Sequence, residues 1–250
     1  MSAPSLRTRE QLVARLPSRQ RFSLAPNALV VLADVRRFEG EDDTFLQLLD
    51  SEEKSRYQRL RFVDDRQLFL VAHGLLRSLL GHLTGRHPAS LSFEAGPFGK
   101  PSLCALEEGS AVHFSLSHSS PRLLLAFHRA HQVGVDLERI KPLADPDALA
   151  RCHFHPAELA KLEDAAPAKR VGLFYRIWTC KEAVLKAAGT GLSSPLRELD
   201  TSGCDGREAA VIRTADGRSF WVKSLPVGQG FHSAIAASAS LPNVDIHRVV

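Results

Sequence analysis

Two apolar stretches of helical length, one in each half of the chain, constrain its fold most. Residues 66–83 (R-Q-L-F-L-V-A-H-G-L-L-R-S-L-L-G-H-L) and about 171–188 carry apolar residues at helical recurrence over lengths that strands do not reach. The second stretch stops at Gly189-Thr190-Gly191. Short strand-like runs surround both: 27–33, 90–93 and the alternating 112–117, then 123–128 and 132–140, which read as a hairpin joined near His131. Shorter helices are predicted at 50–59, 146–152 and 156–164. Terminal strands follow at 209–213, 219–224 and 233–239. One long helix with mostly antiparallel strands in each half predicts an α+β fold of two similar lobes, residues 1–130 and 131–250. Residues 1–45 are read partly as an extension, because the Arg-rich, acid-poor start carries Pro4, Pro17 and Pro26.

Composition narrows the classes of function. A 250-residue chain with 44% hydrophobic and 24% charged residues is that of a globular protein, and no run has the roughly 18 apolar residues of a membrane span. Four scattered cysteines without a C-x-x-C pair fit free thiols in a reducing cytoplasm. Cys152-His153-Phe154-His155 lacks a second ligand pair at zinc spacing. The formal charge of +4 points to an anionic ligand or partner. Dispersed basic residues and only 7% aromatics do not indicate a nucleic-acid groove.

Four short stretches carry candidate chemistry. In Gly134-Val135-Asp136-Leu137-Glu138, residues two apart on a strand face one side. Asp136 and Glu138 therefore project together, their Cα atoms roughly 6–7 Å apart, and suit a hard cation such as Mg²⁺ that shares its shell with phosphate. A solvated strand face is the plainer reading. On the second long helix Glu182 stands one turn before Lys186, which could supply a further carboxylate and a compact positive charge; a surface Glu–Lys pair is the alternative. Phe98-Gly99-Lys100-Pro101 presents Lys100 from a stiff loop. In Ser117-His118-Ser119, neighbouring strand residues point to opposite faces, so a serine–histidine nucleophile pair fails; a strand end offering anion donors fits better.

In this order, the four stretches resemble the motifs of 4′-phosphopantetheinyl transferases of the surfactin-synthetase-activating type: G-K-P, then S-H-S, then G-[IV]-D-[IVL]-E, then W-x-x-K-E-A-x-x-K, here Trp178 to Lys186. The resemblance spans about residues 50–200, with Phe154, Glu158 and the G-T-G-L of residues 189–192. It implies a two-lobed pseudo-dimer with coenzyme A as substrate in the cleft between lobes. The phosphopantetheine arm would pass to a serine of an acidic acyl, peptidyl or aryl carrier protein, serving fatty-acid, polyketide or peptide synthesis. The resemblance further implies a monomer in the cytoplasm, engaging neither nucleic acid nor membrane.

By the same resemblance Asp136, Glu138 and Glu182 would hold Mg²⁺. Glu182 would also be the base for the serine hydroxyl, and Lys186 would neutralise the pyrophosphate. Ser117, His118, Lys100, Pro101, Lys181, Lys186, Lys54 and Arg66 would contact coenzyme A. Tyr57 replaces a basic residue of the family's pattern, with Arg66 or Arg77 as compensating charges. Two other classes fit parts of the pattern. A metal-dependent nuclease usually needs E-x-K on the metal strand, whereas Glu138 is followed by Arg139-Ile140. A non-catalytic coenzyme A or carrier-binding module would be favoured only if a metal carboxylate were missing.

Overall fold

The computed structural model describes residues 27–104, 111–191, 195–206 and 208–249. Residues 1–26 of the expected extension and Leu192 of the G-T-G-L segment lie outside them. The chain runs β1 (Ala28–Asp34), α1 (Asp42–Leu48), α2 (Ser51–Arg59), α3 (Val63–Thr84), β2 (Phe93–Ala95), β3 (Pro101–Leu103), β4 (His113–Ser119), β5 (Arg122–His128) and β6 (Val133–Arg139). It continues through α4 (Pro146–His153), α5 (Pro156–Asp164), α6 (Pro167–Ala188), β7 (Ala210–Arg213), β8 (Ser219–Ser224), β9 (Phe231–Ala237) and β10 (Val244–Val249).

Two four-stranded sheets result, ordered β10-β1-β5-β4 and β6-β9-β8-β7, beside a small β2-β3 ribbon. They face each other between two helical layers. Along β1 the side chains alternate. Leu29, Val31 and Ala33 join the core under α3, while Ala28, Val30 and Leu32 meet Val133, Val135, Leu137 and Ile235 of the second sheet. On that sheet's far face, Val184 and Leu185 of α6 pack with Val222, Ala234 and Ala236. Each fully buried Leu or Val contributes about 1.5–3 kcal/mol.

The expected hairpin of 123–128 with 132–140 does not form. β5 pairs with β1 and β4, whereas β6 pairs with β9 in the other sheet. The reason is the burial of β6 on both faces: its odd-numbered side chains enter the inter-sheet core, and its other face lies under α6. The turn between them is fastened by the N–H groups of Ala130 and His131, which both donate to His128 Nδ1. The strand predicted at 90–93 starts later, because His87 and Pro88 open a 3₁₀ turn over Pro88–Ser90. One boundary also crosses the expected division near 130: β10 returns to the first sheet, parallel to β1.

Candidate active site

Gly134 explains how α6 comes to lie on β6. A Cβ there would stand 2.2 Å from the Ala183 carbonyl oxygen and 2.3 Å from the Ala187 nitrogen, so only glycine admits the helix. With the helix seated, Glu182 and Lys186 turn towards the even-numbered face of β6. Lys186 Nζ donates to Asp136 Oδ1 at 2.7 Å and to Ser117 Oγ at 3.0 Å. Ser117 Oγ donates to the same Asp136 oxygen at 2.9 Å, and Ser119 Oγ to Glu138 Oε2 at 3.3 Å.

These acids are poorly neutralised. Burial, followed by the charge of Asp136, raises both the Glu138 and the Glu182 carboxyl above the usual carboxylate range; Lys186 pulls both back in part. Asp136 Oδ2 and Glu182 Oε1 are buried without a hydrogen-bond partner. A buried acceptor left unpaired is costly, so two in one cluster fit a cation or a ligand's proton. Among the described residues, no group of three or more histidine, cysteine or acidic side chains is arranged to hold a metal ion. Hard carboxylate oxygens are nonetheless the donor set that Mg²⁺ takes.

Beside the cluster a cavity of about 570 Å³ opens between the lobes, lined by Arg56, His73, Lys100, His118, Lys186 and Gly189 among others. Burial, and then the nearby Lys186 charge, holds His118 below the usual histidine range. Pro101 lines the wall, and Lys100 crosses between lobes. Its ammonium donates to Gln132 Oε1 at 2.9 Å, to Val133 O at 3.1 Å and to Ala187 O at 3.4 Å.

Four expected contacts are placed elsewhere. Lys181 is wholly buried against Glu158, at 2.8 Å, on a different side of α6 from Glu182; it does not line the cavity. Lys54 is exposed and Arg66 partly exposed, and neither lines the cavity. Arg77 is buried and pairs with Asp50 and, at 2.6 Å, with Glu53. It is held as structure, because the Pro88 and Leu91 carbonyls take both Nη1 protons. The residues that reach the cavity instead are Arg56, whose guanidinium lies 5.4 Å from the Phe69 ring centre, and His73, which meets Glu53 at 2.8 Å. The signal for Arg56 is spacing: it stands three residues after Glu53, on the face of α2 that buries Glu53.

The fold thus sets a cleft between two α+β lobes beside buried carboxylates and a lysine, two of whose acid oxygens lack a hydrogen-bond partner. Comparison with known proteins supplies the family. Residues 132–236 match the family model of the 4′-phosphopantetheinyl transferase superfamily, and residues 39–129 that of the 4′-phosphopantetheinyl transferase N-terminal region. The chain is 36% identical over 167 residues to 4′-phosphopantetheinyl transferase HetI of Nostoc sp., covering 67% of this chain and 70% of that one. A 4′-phosphopantetheinyl transferase of Bacillus subtilis is 31% identical over 187 residues, covering 71% of this chain and 81% of its own. Sfp of Bacillus subtilis strain 168 is 24% identical over 198 residues, covering 79% and 86%. The chain belongs to the 4′-phosphopantetheinyl transferase family.

Proposed function

We propose that the inter-lobe cleft moves the 4′-phosphopantetheine group of coenzyme A to a serine of an acyl, peptidyl or aryl carrier protein, releasing adenosine 3′,5′-bisphosphate. The two buried, unpartnered oxygens of Asp136 and Glu182 beside Lys186 carry this reading. With Glu138 they would hold Mg²⁺, which when bound supplies charge neutralisation at the pyrophosphate. Glu182, made more basic by burial and by Asp136, takes the proton of the serine hydroxyl. The serine oxygen then bonds to the phosphorus that bears the pantetheine arm, and the bond to the bridging pyrophosphate oxygen breaks. Lys186 meets the charge that collects on the leaving phosphate. His118 and Arg56 face the cavity as phosphate donors, while Lys100 and Pro101 shape its wall.

A nuclease or a bare binding module is not supported, since the relatives compared are transferases by name and all three carboxylates are present. Among the described residues no helix is long and apolar enough to cross a membrane. The reading includes a monomer in the cytoplasm that engages no nucleic acid. Its basic charge of +4 would favour acidic carriers. The test is to incubate the purified protein with coenzyme A, Mg²⁺ and several apo-carrier proteins, then weigh the carriers. A mass gain of one phosphopantetheine group is expected; carriers of unchanged mass in every case would overturn the reading.

A further inference from the structure

β4 and β6 are edge strands of different sheets, and edge strands normally leave N–H groups unpaired. Here three serines of β4 meet them. Ser115 Oγ accepts the N–H of Val135 at 3.1 Å, Ser117 Oγ that of Leu137 at 3.2 Å, and Ser119 Oγ that of Arg139 at 3.0 Å. Both series step by two residues in the same direction, so hydroxyls stand where the carbonyls of a neighbouring parallel strand would. The joint between lobes is thus a ladder of serine rungs, and it runs beside the carboxylate cluster.

Ser117 is the central rung. A serine hydroxyl has one proton and two lone pairs. Its proton goes to Asp136 Oδ1 at 2.9 Å, and its lone pairs take Leu137 N–H and, at 3.0 Å, Lys186 Nζ. The group is fully used within the protein and sits only 7% exposed. Ser119 repeats the pattern one step on, accepting Arg139 N–H and donating towards Glu138. We propose that Ser117 is a positioning residue, not a ligand of coenzyme A: it locks β4 to β6 and holds Asp136 and Lys186 in register across the lobe joint, with Ser115 and Ser119 as flanking rungs. The functional meaning of that register rests on the transfer reaction proposed above.

The test compares Ser117→Ala with wild type by three measurements: amide hydrogen exchange in apo protein, coenzyme A affinity by calorimetry, and turnover with an apo-carrier. Positioning predicts faster exchange at Leu137, coenzyme A affinity within about twofold, and turnover lower by about tenfold, the scale of one hydrogen bond to a charged group. An affinity loss of about tenfold or more, with turnover at saturation kept, would mean a phosphate ligand and overturn the proposal. Unchanged Leu137 exchange would overturn it too. Should Ser117→Ala not fold, Ser119→Ala repeats the test at Arg139, where faster exchange with unchanged affinity supports the ladder and unchanged exchange refutes it. A wild-type protein without transfer activity would sink the functional reading alone, since exchange and affinity still judge the ladder.

Discussion

Lys181 and Glu182 are neighbours on α6, yet they enter two opposite kinds of charged cluster. Lys181 and Glu158 are both fully buried and pair at 2.8 Å. Every remaining position around them is filled: Glu158 accepts from His155 N at 2.8 Å, Thr201 N at 2.7 Å and Thr201 Oγ1 at 2.7 Å, while Lys181 donates to the Leu196 carbonyl at 2.8 Å and to that of Leu199. On another face of the same helix, Glu182 and Lys186 join Asp136 and Glu138 to set three acids against one amine, with two acid oxygens unpaired. The saturated pair ties α5, α6 and the 195–201 segment together and has nothing left to offer a ligand. The starved cluster has attraction to spare. Burial alone therefore does not mark a working charge; the state of its partners does.

The largest effect expected from breaking this contrast lies on the saturated side. Lys181→Met leaves the Glu158 charge buried without its cation, which costs about 3–5 kcal/mol. Denaturant unfolding should show that loss, with coenzyme A affinity of the remaining folded protein unchanged. A stable variant with weakened coenzyme A binding would instead return Lys181 to the cavity.

Glu182→Gln, next door, should reverse the signature. Gln nearly matches Glu in shape and helix propensity, but its amide cannot take a proton from serine and is a poor ligand for a hard cation. Turnover should fall by at least about 10²-fold, the low end for a lost general base. Burial and Asp136 hold Glu182 above its ordinary range, so its charged form is disfavoured by folding. Removing that charge should leave thermal stability in apo protein near neutral pH equal or slightly higher. Near wild-type transfer by Glu182→Gln would make the starved cluster a surface feature.

Sequence reasoning reached one side of this comparison more easily than the other. The two long helices were legible because apolar recurrence sustained over several turns fits a helix packed on a core and little else. Asp136 with Glu138, and Glu182 with Lys186, were legible because strand and helix periods fix which side chains share a face. What periodicity cannot tell is which of two adjacent helical residues finds a partner from a distant segment; the family resemblance set Lys181 against coenzyme A, whereas Glu158 and the carbonyls of Leu196 and Leu199 close around it. The β5–β6 hairpin failed for a related reason: nearness along the chain favours pairing, but Val133, Val135 and Leu137 bury more by facing the other sheet. The serine rungs were unforeseen because a hydroxyl replacing a strand carbonyl needs two edges already side by side.

Lys100 is a third case that sharpens the comparison, with the smallest expected effect. Unlike Lys181 it is only partly buried, and it has no carboxylate partner among the described contacts. Its ammonium meets only the neutral oxygens of Gln132, Val133 and Ala187. Burial accordingly lowers its pKa to about 8, whereas an unfolded lysine titrates near about 10.4. Between those values the unfolded chain holds a proton that the folded chain has released, so stability should rise with pH there. Below about 8 both states are protonated and this contribution is level. Lys100→Met removes the group. The unfolding free energy of wild type minus that of the variant should therefore climb as pH goes from about 8 to about 10, and stay flat from about 6 to about 7.5. Denaturant titrations across that range read the difference directly. A difference that stays flat throughout would show that the three inter-lobe oxygens hold the ammonium fully charged, and would remove neutral partners as the distinguishing feature of Lys100.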